Sequence, residues 1–392
     1  MLTDAQEAII EQTAPVVAEH LEAITQRFYP LMFQRYPDVM AFFNQKHQGS
    51  GDQPRALAQA VLAYVQLRKT PGAADGALST AVHKHVSLGI QPEHYPIVGE
   101  CLLEAVAQEL GDAVTPEVVD AWGALYQELA DLLIAVEEQY YSAFASRPGG
   151  WRGLRRFRVA HRRRESRVIT SFELEPEDGR PVADFEPGQY VGMRLVIDGE
   201  PVYRHFSLSA PPNGRSYRVS IKREPDGYVS RHWHESMDVG DTVDLLPPAG
   251  ELTLVPGNDP VVLVSGGVGQ TPLLPIAHRA LEHGREVVYI HAALSPDHHA
   301  LADDVQALCA RHPDRMRAVT VYEEAADDAG ADHIGRVDRS LLARYAPDLE
   351  AQYYFVGPGG FMTAVNEGLA ALGVPSERRH YERFGPSRPL AG

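Results

Sequence analysis

Over residues 1–145 the apolar positions recur at three- and four-residue steps, the period of helices packed on one face. Val17, Leu21, Ile24, Phe28 and Leu31 form one stripe, and Val118, Trp122, Leu125, Leu129, Leu132 and Val136 another. Thr115-Pro116-Glu117 is a helix start, with threonine as cap and proline in the first turn. An all-α region of five or more helices is predicted. Past Ser146-Arg147-Pro148-Gly149-Gly150-Trp151, a linker by composition, the period drops to two. Val191, Met193 and Leu195 alternate with Gly192 and Arg194, and Tyr217, Val219 and Ile221 with Arg218 and Ser220. The turn signals Pro187-Gly188, Pro211-Pro212-Asn213-Gly214 and Pro225-Asp226-Gly227 separate the runs, so residues 152–256 predict an antiparallel β-barrel. From about residue 258 apolar strands and helices alternate (Val261–Ser265, a helix from Thr271, Val287–His291, Ala300–Arg311, Arg317–Tyr322, Tyr353–Val356, a helix from Gly360), which predicts a parallel sheet with helices on both faces. The expected architecture is multidomain: all-α over 1–147, β-barrel over 151–256, α/β over 257–392.

A length of 392 residues fits two to three domains, each able to bury a core. With 44% apolar and 23% charged residues the composition is that of an ordinary globular protein. The net charge of −17 argues against a nucleic-acid partner, which needs a basic field. Arg152 to Arg167 departs from this balance, with eight arginines and one acid, Glu165; it reads as a solvated strand face. The two cysteines, Cys101 and Cys309, lie far apart, which disfavours a disulfide and fits a reducing cytoplasm. The N-terminus lacks the regions of a signal peptide, and no apolar run approaches the ~18 residues of a membrane span.

Two signatures carry chemistry. Val261-Val-Leu-Val-Ser-Gly266-Gly267-Val268-Gly269-Gln270-Thr271-Pro272 reads as a buried strand, a glycine turn and a helix whose free N–H groups suit a pyrophosphate. Such glycines also serve plain turns, and Pro272 stands where a dinucleotide fingerprint has its third glycine. A second turn, Val356-Gly357-Pro358-Gly359-Gly360, again ends an apolar strand, and two such turns can flank one crevice. Upstream, Arg204-His205-Phe206-Ser207-Leu208-Ser209 offers an arginine and hydroxyls for a second phosphate-bearing cofactor.

These motifs resemble those of the ferredoxin-NADP reductase superfamily. The resemblance implies that FAD is held by Tyr190 (in Pro187-Gly188-Gln189-Tyr190), by Arg204, His205, Phe206 and Ser207, and by Gly227, Val229 and Ser230. It implies that NAD(P)H is held by Gly267, Val268, Gly269, Gln270, Thr271 and Pro272, and that Glu382, Arg383, Phe384, Gly385 and Pro386 close over the flavin. Two positions depart from the family: Phe206 replaces a usual tyrosine and Val356 a usual cysteine, so both mark places where flavin binding or hydride transfer differs.

In the helical region His85 shares a helix face with Leu78, Ala81, Val82 and Leu88, which points it inward, while His83 falls on the opposite, polar side. An inward histidine on an apolar stripe is commonly a satisfied core residue. An all-α domain ahead of a redox module is also a haem host, and His85 is then the metal ligand. The chain as a whole is similar to the flavohaemoglobins, globins fused to a flavin and nicotinamide reductase. That resemblance implies haem b on His85, a distal Tyr29 with Gln53 and Leu57 beside it, Phe43 packed on the haem, and Tyr95 with Glu137 bonding the proximal imidazole. Lys84 and Glu382 correspond to residues between haem and flavin. The implied activity is nitric oxide dioxygenation: NAD(P)H reduces FAD, FAD reduces haem iron, and nitric oxide with oxygen becomes nitrate, in a cytoplasmic monomer with O2 and NO as its partners and no stable membrane insertion. Taken singly, Tyr29 also reads as a core aromatic and Glu137 as half of an acidic pair with Glu138. Two other functions stay open at this point: a reductase with an external acceptor, and a haem-based sensor of oxygen or nitric oxide.

Overall fold

The computed structural model describes residues 2–43, 61–70, 73–324, 326 and 330–384. The chain divides into two compact units, Met1–Ser146 with Asp198–Tyr203 and Arg147–Ile197 with Arg204–Phe384. The expected residues Gln53, Leu57, Gly385 and Pro386 lie outside the described residues.

The first unit contains α1 (Asp4–Glu19), α2 (Leu21–Arg35), a 3-10 turn at Pro37–Phe42, a helical stretch at 61–67, α3 (Ala73–Leu88), α4 (His94–Leu110) and α5 (Pro116–Ala145). Thr3 and Gln6 close a capping box on α1, and Thr115 caps α5 by accepting from the Val118 N–H. The first apolar stripe is shared by two helices because the chain bends at His20: Val17 packs from α1, Ile24 and Phe28 from α2. Along α5 the buried line runs Trp122, Leu125, Leu129, Leu133, Glu137, Tyr141, Phe144. Steps of three and four residues hold that line on one face, and they carry Glu137 into the core. The expectation for His83 is corrected. Its ring is buried against Tyr140 of α5, whose hydroxyl lies 2.9 Å from Nε2, so a polar side chain occupies a helix-helix contact that the apolar pattern alone does not reveal.

The second unit holds two sheets. The first is six-stranded and antiparallel, in the order β4-β3-β6-β1-β2-β5, with β1 (Arg155–Arg164), β2 (Ile169–Pro176), β3 (Tyr190–Ile197), β4 (Glu200–Ser207), β5 (Tyr217–Lys222) and β6 (Thr242–Ala249). Leu208, just past β4, bridges Val219 of β5 and joins the two ends of that order into a barrel. Ser220, expected on the polar face, is buried, because its hydroxyl links those of Ser171 and Ser209 at 2.7 and 2.8 Å. Helix α6 (Tyr228–Glu235) follows β5.

The second sheet is parallel, in the order β10-β9-β8-β7-β11-β12, with β7 (Val261–Gly266), β8 (Val287–Ala293), β9 (Met316–Tyr322), β10 (His333–Ile334), β11 (Gln352–Val356) and β12 (Arg379–Tyr381). Helices α7 (Gln270–Glu282) and α8 (Ala302–Arg311) bury Leu273, Ala277 and Leu308 on one face. On the other, α9 (Arg339–Tyr345) and α10 (Gly359–Leu372) bury Leu342, Val365 and Leu369. The central strands β7 and β11 are buried on both sides, which is why they read as apolar runs. The edge strands β10 and β12 are too short to give such a signal.

Candidate functional site

In the helical unit the proximal group is assembled from three helices. His85 sits near the end of α3, Tyr95 at the start of α4 and Glu137 on the buried line of α5. The Glu137 carboxylate oxygen lies 2.7 Å from His85 Nδ1 and accepts from the Tyr95 hydroxyl at 2.5 Å; that hydroxyl is 3.0 Å from the same Nδ1. Glu137 is 3% exposed, and a buried carboxylate is tolerable only with such donors around it. Tyr95 is itself held by the Tyr126 hydroxyl on its carbonyl at 2.8 Å. Gly99 makes room for this: a Cβ there would lie 2.5 Å from the Tyr126 ring. Burial first, and then Glu137, push the Tyr95 phenol far above its ordinary range, so it stays a donor.

With Nδ1 turned to Glu137 and Tyr95, Nε2 is the ring atom left without a protein partner among the described residues, as a haem-iron ligand requires. Tyr29 packs edge-on to Phe28 and Phe43 and near Phe33, with centroids 4.7, 5.6 and 5.8 Å away, and burial raises its hydroxyl's pKa well above the ordinary value. An aromatic cluster around Tyr29, in the same helical unit as an imidazole whose Nε2 has no partner among the described residues, fits a haem-binding domain. Lys84 lies on α3 next to the ligand, half-buried.

The residues expected at the flavin lie on β3, on β4 and at the start of α6. Tyr190 opens β3 with its ring 5.1 Å from that of His205 on β4, and a Cβ on Gly250 would come within 2.9 Å of it. Arg204 and Ser207 belong to β4, and burial lowers the pKa of the Arg204 guanidinium. Gly227 caps α6 without a side-chain bond, and a Cβ there would meet Ser230 Oγ at 2.1 Å. Val229 is buried in the first turn, and with no side-chain cap on it the helix start has the N–H groups that suit a pyrophosphate. Phe206 keeps a ring 6.4 Å from Trp233, whose buried indole N–H has no partner among the described residues. Glu382, Arg383 and Phe384 follow β12, with Phe384 exposed.

At the carboxyl ends of the parallel strands the two glycine turns meet. Ser265 of β7 is in register with Val356 of β11. A Cβ on Gly269 would lie 2.1 Å from the Val356 carbonyl oxygen, and one on Gly357 would lie 2.6 Å from the Phe361 ring. Gly267 has φ of +55° with open space around it. The result is a cradle of backbone over the N-terminus of α7, the form a dinucleotide pyrophosphate needs. Gln270 donates to the Ala300 carbonyl at 2.9 Å and Thr271 to the Val268 carbonyl at 2.9 Å, so both brace the turn. Pro272 occupies the first turn of α7, where a missing N–H costs nothing, and this accounts for its place in the motif.

Two groupings escape the sequence reading. His291, at the end of β8, bonds Ser265 Oγ at 2.8 Å and lies 4.6 Å from the ring of His299, which bonds the Tyr322 hydroxyl at 2.9 Å. Arg218 of β5 reaches Asp304 of α8 at 2.7 Å while donating to Ser209 beside the flavin strand. Both depend on chain segments brought together only by folding; an arginine on the outer face of a barrel strand is the faint signal of the second.

Comparison with known proteins agrees with this geometry. Residues 26–133 match the Globin family, 156–254 the Oxidoreductase FAD-binding domain and 263–367 the Oxidoreductase NAD-binding domain. The chain is 48% identical to a Flavohemoprotein of Pseudomonas aeruginosa and 47% identical to one of Pseudomonas putida, each covering all of both chains. It superposes on the crystal structure of flavohemoglobin from Malassezia yamatoensis with bound FAD and heme, with TM-score 0.85 and 28% identity over 98% of this chain and all of that one. The FAD/NAD-binding domain of nitric oxide dioxygenase from Vibrio cholerae matches 59% of this chain and 99% of its own, with TM-score 0.55 and 38% identity. Among the described residues no helix is long and apolar enough to cross a membrane. The chain unites a haem-binding globin with FAD- and NAD-binding oxidoreductase modules, and it belongs to the flavohemoprotein family.

Proposed function

We propose that the protein is a cytoplasmic nitric oxide dioxygenase, an NAD(P)H-dependent enzyme that turns nitric oxide and oxygen into nitrate, built as globin (1–147), flavin (151–256) and nicotinamide (257–392) modules. The observation that carries this reading is the carboxylate on the imidazole: Glu137 lies 2.7 Å from His85 Nδ1 in a buried setting. A carboxylate-bonded imidazole is a stronger donor to iron, which favours oxygen activation over reversible carriage. Haem supplies the metal that brings oxygen and nitric oxide together, and FAD the conversion of a hydride into single electrons.

The chain's own residues supply the rest. Glu137 holds the Nδ1 proton of His85 in place, and Tyr95 fixes the carboxylate by donating to the same oxygen. Tyr29, kept protonated by burial, donates a hydrogen bond into the distal side of the pocket. Arg204, Ser207 and the first turn of α6 hold and orient the flavin, while the glycine cradle at the end of β7 orients the nicotinamide nucleotide. Converting one nitric oxide and one dioxygen to nitrate consumes one electron, so one hydride serves two turnovers.

The test supplies the purified holoprotein with NADH or NADPH, oxygen and nitric oxide, and measures nitrate formed and nucleotide consumed. One nucleotide per two nitrates is expected. Nucleotide oxidation without nitrate would assign the chain to reductases with an external acceptor. His85→Ala is expected to remove the haem absorption band and nitrate formation while NAD(P)H still bleaches the flavin; loss of flavin reduction as well would contradict separable modules.

A further inference from the structure

Eight arginines and one acid lie between Arg152 and Arg167 in an otherwise acidic chain, and neither the haem site nor the nucleotide cradles use them. Most are neutralised locally: Arg155 pairs with Asp178 at 2.7 Å, Arg158 with Glu175 at 2.9 Å, Arg162 with Asp238 at 2.8 Å and Arg163 with Glu165 at 2.9 Å. Arg164 and Arg167 have no carboxylate partner among the described residues. Both open onto a pocket of about 380 Å³, whose wall also carries Arg162, paired with Asp238, and Arg223, paired with Glu235 at 2.5 Å, so Arg164 and Arg167 supply its uncompensated charge. The hydroxyl-bearing Ser166 and Thr170 complete the lining on that side.

The pocket is held by structure. Ser166 accepts from the Val168 and Ile169 N–H groups through its hydroxyl and closes the β1–β2 turn. Arg164 Nε donates to the Ser166 carbonyl at 3.1 Å, and the Arg167 N–H to the Asp297 carbonyl at 2.7 Å. His234, on the wall, has Nε2 2.8 Å from the Ile221 carbonyl. Burial lowers its pKa, the Ile221 carbonyl opposes that shift, and Arg162 and Arg223 lower it further against Glu235. Guanidinium forks match phosphate oxygens in pairs and bind them more tightly than single cations do. The volume is near the small end of ligand pockets, roughly 300–1,000 Å³, which suits a phosphate group or a short polyphosphate and not a whole dinucleotide.

We propose that this pocket is a second anion site, separate from the cofactor cradles, that binds a multiply charged phosphate group, either as a free polyphosphate or as a phosphate ester carried by a nucleotide. The test titrates full-length protein loaded with haem and FAD with inorganic pyrophosphate by calorimetry at about 0.1 M salt, where surface attraction is largely screened. One site dependent on Arg164 and Arg167 is expected, weakened about tenfold or more in R164Q/R167Q by loss of two charge-assisted contacts and less in R164K/R167K, which keeps the charges but loses the forks. NADH oxidation should be unchanged in both variants. A KM raised for NADPH but not NADH in R164Q/R167Q would place the phosphate on the nucleotide's ribose; unaltered KM values with pyrophosphate binding lost would make it a free polyphosphate. The absence of pyrophosphate binding, or binding equal in wild type and R164Q/R167Q, would overturn the site. So would capture by phosphatidylglycerol vesicles without pyrophosphate binding, which would mark a lipid-facing surface instead.

Discussion

The haem site is built from side chains and the nicotinamide site from backbone. In the helical unit the candidate site consists of three groups, His85, Tyr95 and Glu137, delivered from three helices to within 3.0 Å of one another. In the parallel sheet it depends on the absence of side chains, with Gly269 and Gly357 letting two turns approach where any Cβ would collide. The first design is sensitive to chemistry and the second to volume.

The largest effect should therefore come from adding atoms to the cradle. Gly269→Val would drive its side chain into the Val356 carbonyl; shifting the turn by an ångström can cost about a hundredfold in hydride transfer, and overpacking about 1–3 kcal/mol of stability. Stopped-flow reduction of FAD by NADH measures it, with the haem spectrum expected to be normal. A wild-type rate would show that the cradle does not position the nucleotide. The corresponding change of chemistry is Glu137→Gln, which keeps shape and removes charge. A drop of about ten- to a hundredfold in nitrate formation is expected, with an altered haem reduction potential and unaltered flavin reduction. An unchanged potential would remove Glu137 from the iron's electronics.

The legibility of the two sites follows from the same difference. A backbone cradle is a contiguous string, so Gly266-Gly267-Val268-Gly269 and Gly357-Pro358-Gly359-Gly360 stand out on reading, and strand alternation places them at one edge of a sheet. A side-chain site is scattered: Tyr95 and Glu137 look like ordinary helix residues until family resemblance pairs them with His85. Periodicity is still informative, since the four-residue steps of α5 carry Glu137 to the buried face. It failed for His83, because a polar ring can be buried when one partner such as Tyr140 satisfies it, and nothing local announces the partner. The Arg218–Asp304, Ser265–His291 and His299–Tyr322 contacts are likewise invisible, since each joins segments far apart in sequence.

The smallest predicted effect separates the units by acid. In the reductase unit one imidazole is buried and two are half-buried: desolvation brings the pKa of His278 down to about 4 and holds those of His291 and His299 below the ordinary value. A depressed histidine pKa means the unfolded chain takes the proton more readily. Stability is therefore full above about pH 6.5 and declines as pH falls toward about 4. In the helical unit burial lowers the pKa of one histidine, His94, while Glu7, bonded to Arg68 and Lys69, is lowered to about 2, so its contribution is lost only below the ordinary carboxylate range. Urea unfolding at pH 7 and pH 5 should show flavin release moving to lower denaturant more than haem release does, and His278→Gln should reduce that difference. Equal shifts in the two signals would contradict it.

The clamp on His85 belongs to the protein's own packing. Tyr95 and Glu137 are set by α4 and α5, with Gly99 and Tyr126 as their support, so the helices themselves orient the imidazole. Immobilising a side chain on binding costs roughly 0.5–1.5 kcal/mol, and here that ordering is done during folding. The protein folds into a receptor for haem, and the affinity it displays includes entropy given up when the helices closed.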